Sequence, residues 1–200
     1  MSAFLGPIHF WLYNKIKFQE DLIRDLAETF PDACDAQSYV VELQPLEEAC
    51  DITNIHGWLQ SRITDAETRY AELVTNLLKE DSSRLEALKK SAYTVGSRMK
   101  TSPSADAIDC YKALDDAFLN GMPCERVNVI TEKNAENVLY TEEQRIHDDV
   151  WIDAGGDPEI YYTLRKSAAD GILSDTAFIL KTDDNKNYNI VKRNLGQASA

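Results

Sequence analysis

Three histidine–tryptophan pairs carry the most chemical information in this sequence. The chain of 200 residues has three His and three Trp, and each Trp follows a His by two or four positions. The pairs are His9 with Trp11, His56 with Trp58, and His147 with Trp151. Imidazole is a common ligand of zinc and iron, and imidazole together with carboxylate also suits manganese. The recurrence therefore predicts a shared role for the three histidines.

Two of these histidines lie in a nine-residue segment that the chain repeats. Residues 8–16 read IHFWLYNKI and residues 55–63 read IHGWLQSRI, so five of the nine positions are identical. A helix turns by about 100° per residue, which places His9 and His56 beside the apolar positions of each copy. In the same projection His147 falls between Val150 and Trp151. All three imidazoles are expected to face apolar surface, where a polar group needs a partner.

A single divalent metal ion is one partner that would satisfy all three imidazoles. Three neutral histidines with an open fourth position are a common arrangement for catalytic zinc. In this hypothesis His9, His56 and His147 hold zinc, iron or manganese, and a bound water is the nucleophile of a metal-dependent hydrolase. Asp148 would accept the proton of that water. Cys124, in the loop Gly121–Arg126, is a second candidate, either as a thiolate paired with His147 or as a fourth ligand.

The alternative interpretation is a non-catalytic binding or regulatory module with structural histidines. Each imidazole would then bond to a neighbouring group of the protein, and each Trp would anchor the core. The spacings His-Glu-x-x-His and Glu-x-x-His, which have known metal-binding geometry, are absent. Haem with a His axial ligand is a special case of the metal hypothesis, in which the nearby aromatic rings line the macrocycle. In the alternative, the aromatic residues near the histidines would line a pocket for a small molecule. These pocket residues are Trp11, Tyr13, Trp58 and Trp151.

Composition narrows the classes of partner. The net charge is −13 and no cluster of Lys or Arg is present, which argues against binding to nucleic acid or to an anionic membrane surface. No apolar run approaches the ~20 residues of a membrane span. The N-terminal sequence has no secretory pattern, and four cysteines without a Cys-x-x-Cys predict reduced thiols. We expect a cytoplasmic protein with a small-molecule ligand. A homodimer is compatible with the sequence.

The spacing of apolar residues predicts a helix-dominated α+β fold. Residues 1–121 are expected to form a bundle of about five or six helices. Residues 122–200 are expected to add two β-hairpins around a pair of helices, packed on the bundle as one unit. The hairpins, near residues 127–140 and 177–191, are candidates to join into one small antiparallel sheet.

Capping signals predict where several helices begin. Pro7 and the pair Asp157-Pro158 are typical of a first helical turn, and Asn54 is expected to cap a short helix over the second repeat. Capping-box patterns predict further helix starts at Thr64–Glu67, Ser83–Glu86 and Thr141–Gln144. The last of these helices would carry His147 and Trp151. Ser102-Pro103 predicts one more start.

Overall fold

The computed structural model describes residues 4–122 and 125–193. This part of the chain is a helix-dominated α+β structure with seven helices and one four-stranded sheet, which confirms the predicted fold class. Two 3-10 turns lie at Ala36–Tyr39 and Ser82–Arg84. The helices are α1 (Pro7–Thr29), α2 (Leu46–Ala49), α3 (Ile55–Glu80), α4 (Leu85–Ser97), α5 (Ala107–Ala117), α6 (Asp148–Asp153) and α7 (Pro158–Ile172). The strands are β1 (Asn128–Lys133), β2 (Asn137–Glu142), β3 (Phe178–Lys181) and β4 (Asn187–Lys192).

The two predicted hairpins join into one antiparallel sheet. The strand order is β1-β2-β4-β3, so the inner strands of the two hairpins pair with each other. Tyr140 lies opposite Tyr188 in this central pair, and their rings stack with centroids 5.0 Å apart. The buried face of the sheet shares a hydrophobic cluster with the long helices. The division into residues 1–121 and 122–200 stays a prediction.

Helices α1 and α3 run in the same direction, which sets the two copies of the repeat side by side. His9 meets His56 near the start of both helices, and further along Glu20 pairs with Arg69. The apolar positions of the two copies pack into one buried cluster, which includes Leu12, Ile16, Leu59, Ile63 and the side chains around them. Residues 30–54 return the chain to the start of α3. The repeat is therefore a pair of matched packing surfaces.

Three predicted helix starts were wrong. Thr64–Glu67 lies inside the single 26-residue helix α3, because the apolar stripe continues and its amides already bond within the helix. The helix expected at Ser102-Pro103 begins at Ala107. A capping box fixes this start, because the Asp106 side chain accepts from the Asp109 amide and the Asp109 side chain accepts from the Asp106 amide. Thr141–Gln144 is no helix start, since β2 extends through Glu142.

Two glycines let α4 and α7 approach closely. A Cβ atom on Gly96 would lie 2.1 Å from the carbonyl oxygen of Ala168, and one on Gly171 would lie 2.1 Å from the carbonyl oxygen of Tyr93. Real atoms never come so near, so this crossing depends on glycine at both sites. Within the described residues no helix combines the length and apolar character needed to cross a membrane.

The pair formed by Arg69 and Glu20 predicts a large effect on stability. Arg69 donates to Glu20 and to the carbonyl of Tyr39 at 2.7 Å, while Glu20 is buried. Arg69→Leu would leave a buried carboxylate without its partner, so we expect a loss of about 3–5 kcal/mol in the free energy of unfolding. Arg24→Leu, at a more exposed pair with Asp21, is the matched control and should cost less than about 1 kcal/mol. Urea denaturation measures both, and equal losses would contradict this assignment.

Candidate functional site

The structure brings His9 and His56 together at the starts of α1 and α3. Their ring centroids are 5.8 Å apart in an edge-to-face arrangement. His9 is buried, and its Nδ1 accepts a hydrogen bond of 2.9 Å from the Gly6 amide. His56 is exposed. One nitrogen of the buried ring is thus engaged in capping α1.

His147 lies elsewhere, in the core between α3 and α7. Its Nε2 is 2.9 Å from the Tyr161 hydroxyl, and its Nδ1 is 2.8 Å from Oε1 of Glu67. The Glu67 contact has ion-pair length but falls outside hydrogen-bond geometry, and Oε1 has no other partner among the described residues. Glu67 lies about 16 Å along α3 from His56, at 1.5 Å per residue. The three histidines therefore do not meet at one point.

The residues described contain no group of three or more His, Cys, Asp or Glu placed to hold a metal ion. The expectation that His9, His56 and His147 converge is not met, because α6, which His147 caps, packs against α3 about three turns beyond His56. Asp148 accepts from Arg145 Nε at 2.7 Å and from the Tyr162 hydroxyl at 3.1 Å. Cys124 lies outside the described residues. The metal-dependent hydrolase stays a prediction with no site in this part of the chain.

The four predicted pocket aromatics occupy different surroundings. Tyr13 is buried, donates to the Gln44 carbonyl at 2.6 Å and packs near Trp58, with ring centroids 5.9 Å apart. Trp151 is buried against Tyr70 and borders a cleft near Gly155. Trp11 donates from its indole nitrogen to Asp116 at 2.8 Å and lines another, larger cleft.

The cleft beside Trp11 is the site that sequence reasoning missed. Its volume is about 490 Å³ and it lies between α1, α5, the segment after α5 and the start of β1. Its polar and aromatic lining comprises Trp11, Lys15, Tyr111, Asp115, Asn120 and Asn128. Val129 and Ile130, both exposed, add an apolar edge. Clefts of this size hold small organic molecules.

Lys15 is the unusual residue of this cleft. Its side chain is 3% exposed, and its Nζ lies 3.7 Å above the centre of the Trp11 ring. Among the described residues its ammonium has one hydrogen-bond acceptor, Asp115 Oδ1 at 3.4 Å. Burial lowers the pKa of Lys15 below its ordinary value, although the nearby carboxylates of Asp115 and Asp116 oppose this shift. A buried ammonium with three donors and one long contact is poorly satisfied by the protein itself.

Two asparagines in the cleft also have unsatisfied polar atoms. Nδ2 of Asn120 and Oδ1 of Asn128 are buried without a hydrogen-bond partner among the described residues. The amide oxygen of Asn120, Oδ1, accepts from Arg165 at 2.8 Å, so the orientation of this amide is fixed. Native structures leave few buried polar atoms unpaired. Together with Lys15, these atoms form a set of polar groups in the lining of the cleft that the described residues leave incompletely bonded.

A buried ion pair lies directly behind Asn120. Arg165 on α7 donates to Glu142 of β2 at 2.8 Å, and both side chains are buried. The guanidinium carbon lies 5.0 Å from the centre of the Phe118 ring. Burial acts to lower the pKa of Arg165, but Glu142 and the surrounding tyrosines together raise it above its ordinary value, so this cation is permanent.

The sequence did contain a signal for Lys15. In both copies of the repeat a basic residue follows Trp by four positions, as Lys15 after Trp11 and Arg62 after Trp58. Residues four apart lie on one face of a helix, where a cation can cover an indole ring. Both pairs make this contact, but the Arg62 carbon is 5.9 Å from its ring centre.

No family model, curated protein or solved structure matches this chain significantly.

The environment of His147 predicts a structural role. In His147→Ala the Tyr161 hydroxyl would lose its partner in a dry core and a cavity would form, so we expect a loss of about 2–4 kcal/mol in the free energy of unfolding. His56→Ala, at an exposed ring, should change it by less than about 0.5 kcal/mol. Urea denaturation in the presence of EDTA measures both variants without any contribution from a metal. A His147→Ala protein as stable as His56→Ala would contradict this role.

Proposed function

We propose that this chain is a binding protein for a small organic anion, held in the cleft around Lys15. The observation that carries the proposal is the buried Lys15 ammonium, which lines the cleft and makes one long hydrogen bond within the described residues. An anionic oxygen of a ligand would supply the acceptor that this ammonium lacks. Hydrogen bonds to a charged group contribute about 1.5–3 kcal/mol, and contacts with the rest of the cleft must supply the remaining affinity.

The rest of the lining indicates what kind of anion fits. The unpaired Nδ2 of Asn120 is a second donor near the segment that follows α5, and Arg126 adds a cation at the mouth. The uncharged part of the ligand would contact the rings of Trp11 and Tyr111 and the apolar edge of β1. These features favour a monocarboxylate with an aromatic or branched side chain. The acidic character of the whole chain disfavours a ligand with several negative charges.

Calorimetric titration with a panel of aryl and branched-chain carboxylates, phenyllactate among them, tests the proposal. We expect phenyllactate to bind, and Lys15→Met to weaken its affinity about tenfold or more because a charge-assisted hydrogen bond is lost. Lys17→Met is the matched control, since Lys17 is exposed on the same helix and also lies over a ring, that of Tyr13. Its affinity should equal that of the unchanged protein. Absence of binding by every carboxylate, or equal binding by Lys15→Met, would overturn the proposal.

The stability of Lys15→Met provides a second prediction. Desolvation disfavours the buried ammonium, whereas Asp115 is 34% exposed and keeps its hydration when Lys15 is removed. We therefore expect Lys15→Met to unfold with equal or greater free energy, by up to about 4 kcal/mol. A structural ion pair would instead make this variant less stable than the unchanged protein.

The difference in the free energy of unfolding between Lys15→Met and the unchanged protein should depend on pH, with a definite sign. Because the pKa of Lys15 is lowered in the folded state, the unfolded chain binds the proton more tightly. The cost of burying the charge is complete below the folded pKa, and it is relieved as the pH rises toward the ordinary lysine value of about 10.4. The stability advantage of Lys15→Met should shrink through that window. Thermal unfolding across alkaline pH measures it.

A further inference from the structure

We propose that Nζ of Lys15 forms an imine with the carbonyl group of its ligand, which makes 2-oxo acids the ligand class of this cleft. The inference rests on the proposed function, since the cleft must first bind the carboxylate; Asn120 then holds it while Lys15 loses its ammonium proton to solvent and becomes the nucleophile. A 2-oxo acid carries a carbonyl carbon next to that carboxylate. A ligand bound through its carboxylate to Asn120 would therefore bring an electrophilic carbon toward the amine.

The geometry holds the amine in a fixed position at the cleft. The Trp11 ring covers Nζ on one side at 3.7 Å, and Asp115 lies at 3.4 Å. The side chain is 3% exposed, so few rotamers remain open to it. Because the amine is fixed before the ligand arrives, the reaction does not have to supply the entropy cost of positioning it.

The surroundings also favour the neutral amine that this reaction requires. Burial lowers the pKa of Lys15, and the positive charge of Arg165 on α7 acts in the same direction. Asp115 and Asp116 on α5 raise it, but less than burial lowers it. Desolvated lysines of this kind are the usual amine nucleophiles of proteins.

The condensation balances with the groups present. The lone pair of neutral Nζ forms a C–N bond to the carbonyl carbon, and the carbonyl π electrons move to oxygen. Asp115 takes a proton from the nitrogen and returns it to that oxygen, which gives a carbinolamine. A second proton from the nitrogen follows the same route; the C–O bond breaks, water leaves, and the nitrogen lone pair completes the C=N bond. No oxidant or reductant takes part.

Other reactive groups in the described chain are less suited to covalent chemistry. Burial raises the pKa of the thiols of Cys34, Cys50 and Cys110, which keeps them protonated near neutral pH. The cavity beside His147 has no room for a water-sized group. Among the described lysines that line a cleft, Lys15 is buried, whereas Lys79 and Lys181 are exposed and hydrated.

Reductive trapping tests the inference. The protein is incubated at neutral pH with phenylpyruvate and sodium cyanoborohydride, which reduces an imine to a stable secondary amine, and peptides are then mapped by mass spectrometry. We expect one adduct per chain, on the peptide that contains Lys15. It should be lost in Lys15→Met and kept in Lys17→Met. Asp115→Asn should slow formation of the adduct, because this carboxylate carries protons between the nitrogen and the oxygen.

The outcomes separate the two proposals. Binding of phenyllactate without an adduct on Lys15 would overturn the imine and leave the anion-binding function standing. Failure of every carboxylate to bind, together with no adduct, would overturn both. An adduct spread over the exposed lysines, or one that persists in Lys15→Met, would also overturn the inference. Circular dichroism of each variant confirms that a lost adduct is not a lost fold.

Discussion

The ion pair between Arg165 and Glu142 is the constraint on which the second half of the molecule depends. It joins α7 to the end of β2, and through Asn120 it also fixes the segment that follows α5. Two charges in a dry core are tolerated only while they face each other, because either one alone is strongly destabilising. The contact therefore allows one arrangement of helix, sheet and connecting segment, and that arrangement forms the wall of the Lys15 cleft.

The same pair explains why Lys15 is so unusual. Arg165 is paired with Glu142, and this carboxylate and the surrounding tyrosines together raise its pKa despite burial, but Lys15 has one long hydrogen bond to a carboxylate that is partly hydrated. A chain selected for stability alone would carry an apolar residue at this position, as buried ion pairs are often replaced without loss. Groups kept in such unfavourable surroundings are characteristic of functional sites. The contrast between two buried cations, one well paired and one poorly paired, is the strongest argument that Lys15 serves a ligand.

Local signals in the sequence predicted the fold class, the caps at Asn54 and Asp157, and both hairpins, because these depend on residues close together in the chain. The parallel pairing of α1 with α3 could not be predicted, since two equal apolar stripes pack equally well in either direction. The sequence was equally unable to show whether the three histidines lie close together. Periodicity predicted a core-facing side chain correctly for His9 and His147 but not for His56, which is exposed, and the position of His147 beside α3 is decided by packing. Lys15 was overlooked because a lysine is normally exposed, and its burial arises from α5, a hundred residues later in the chain.

The acidic surface limits what this cleft can select. With a net charge of −13 the protein repels anions at long range, so electrostatic steering cannot supply the affinity. Binding must come from contacts made after the ligand has entered, where water is excluded and each charged hydrogen bond is stronger. A small anion with an apolar body gains from both the donors and the aromatic walls, while a multiply charged one meets the repulsion in full. The cleft therefore selects a ligand by its uncharged part as much as by its charge. This selectivity is expected where the cation is buried beneath an indole ring.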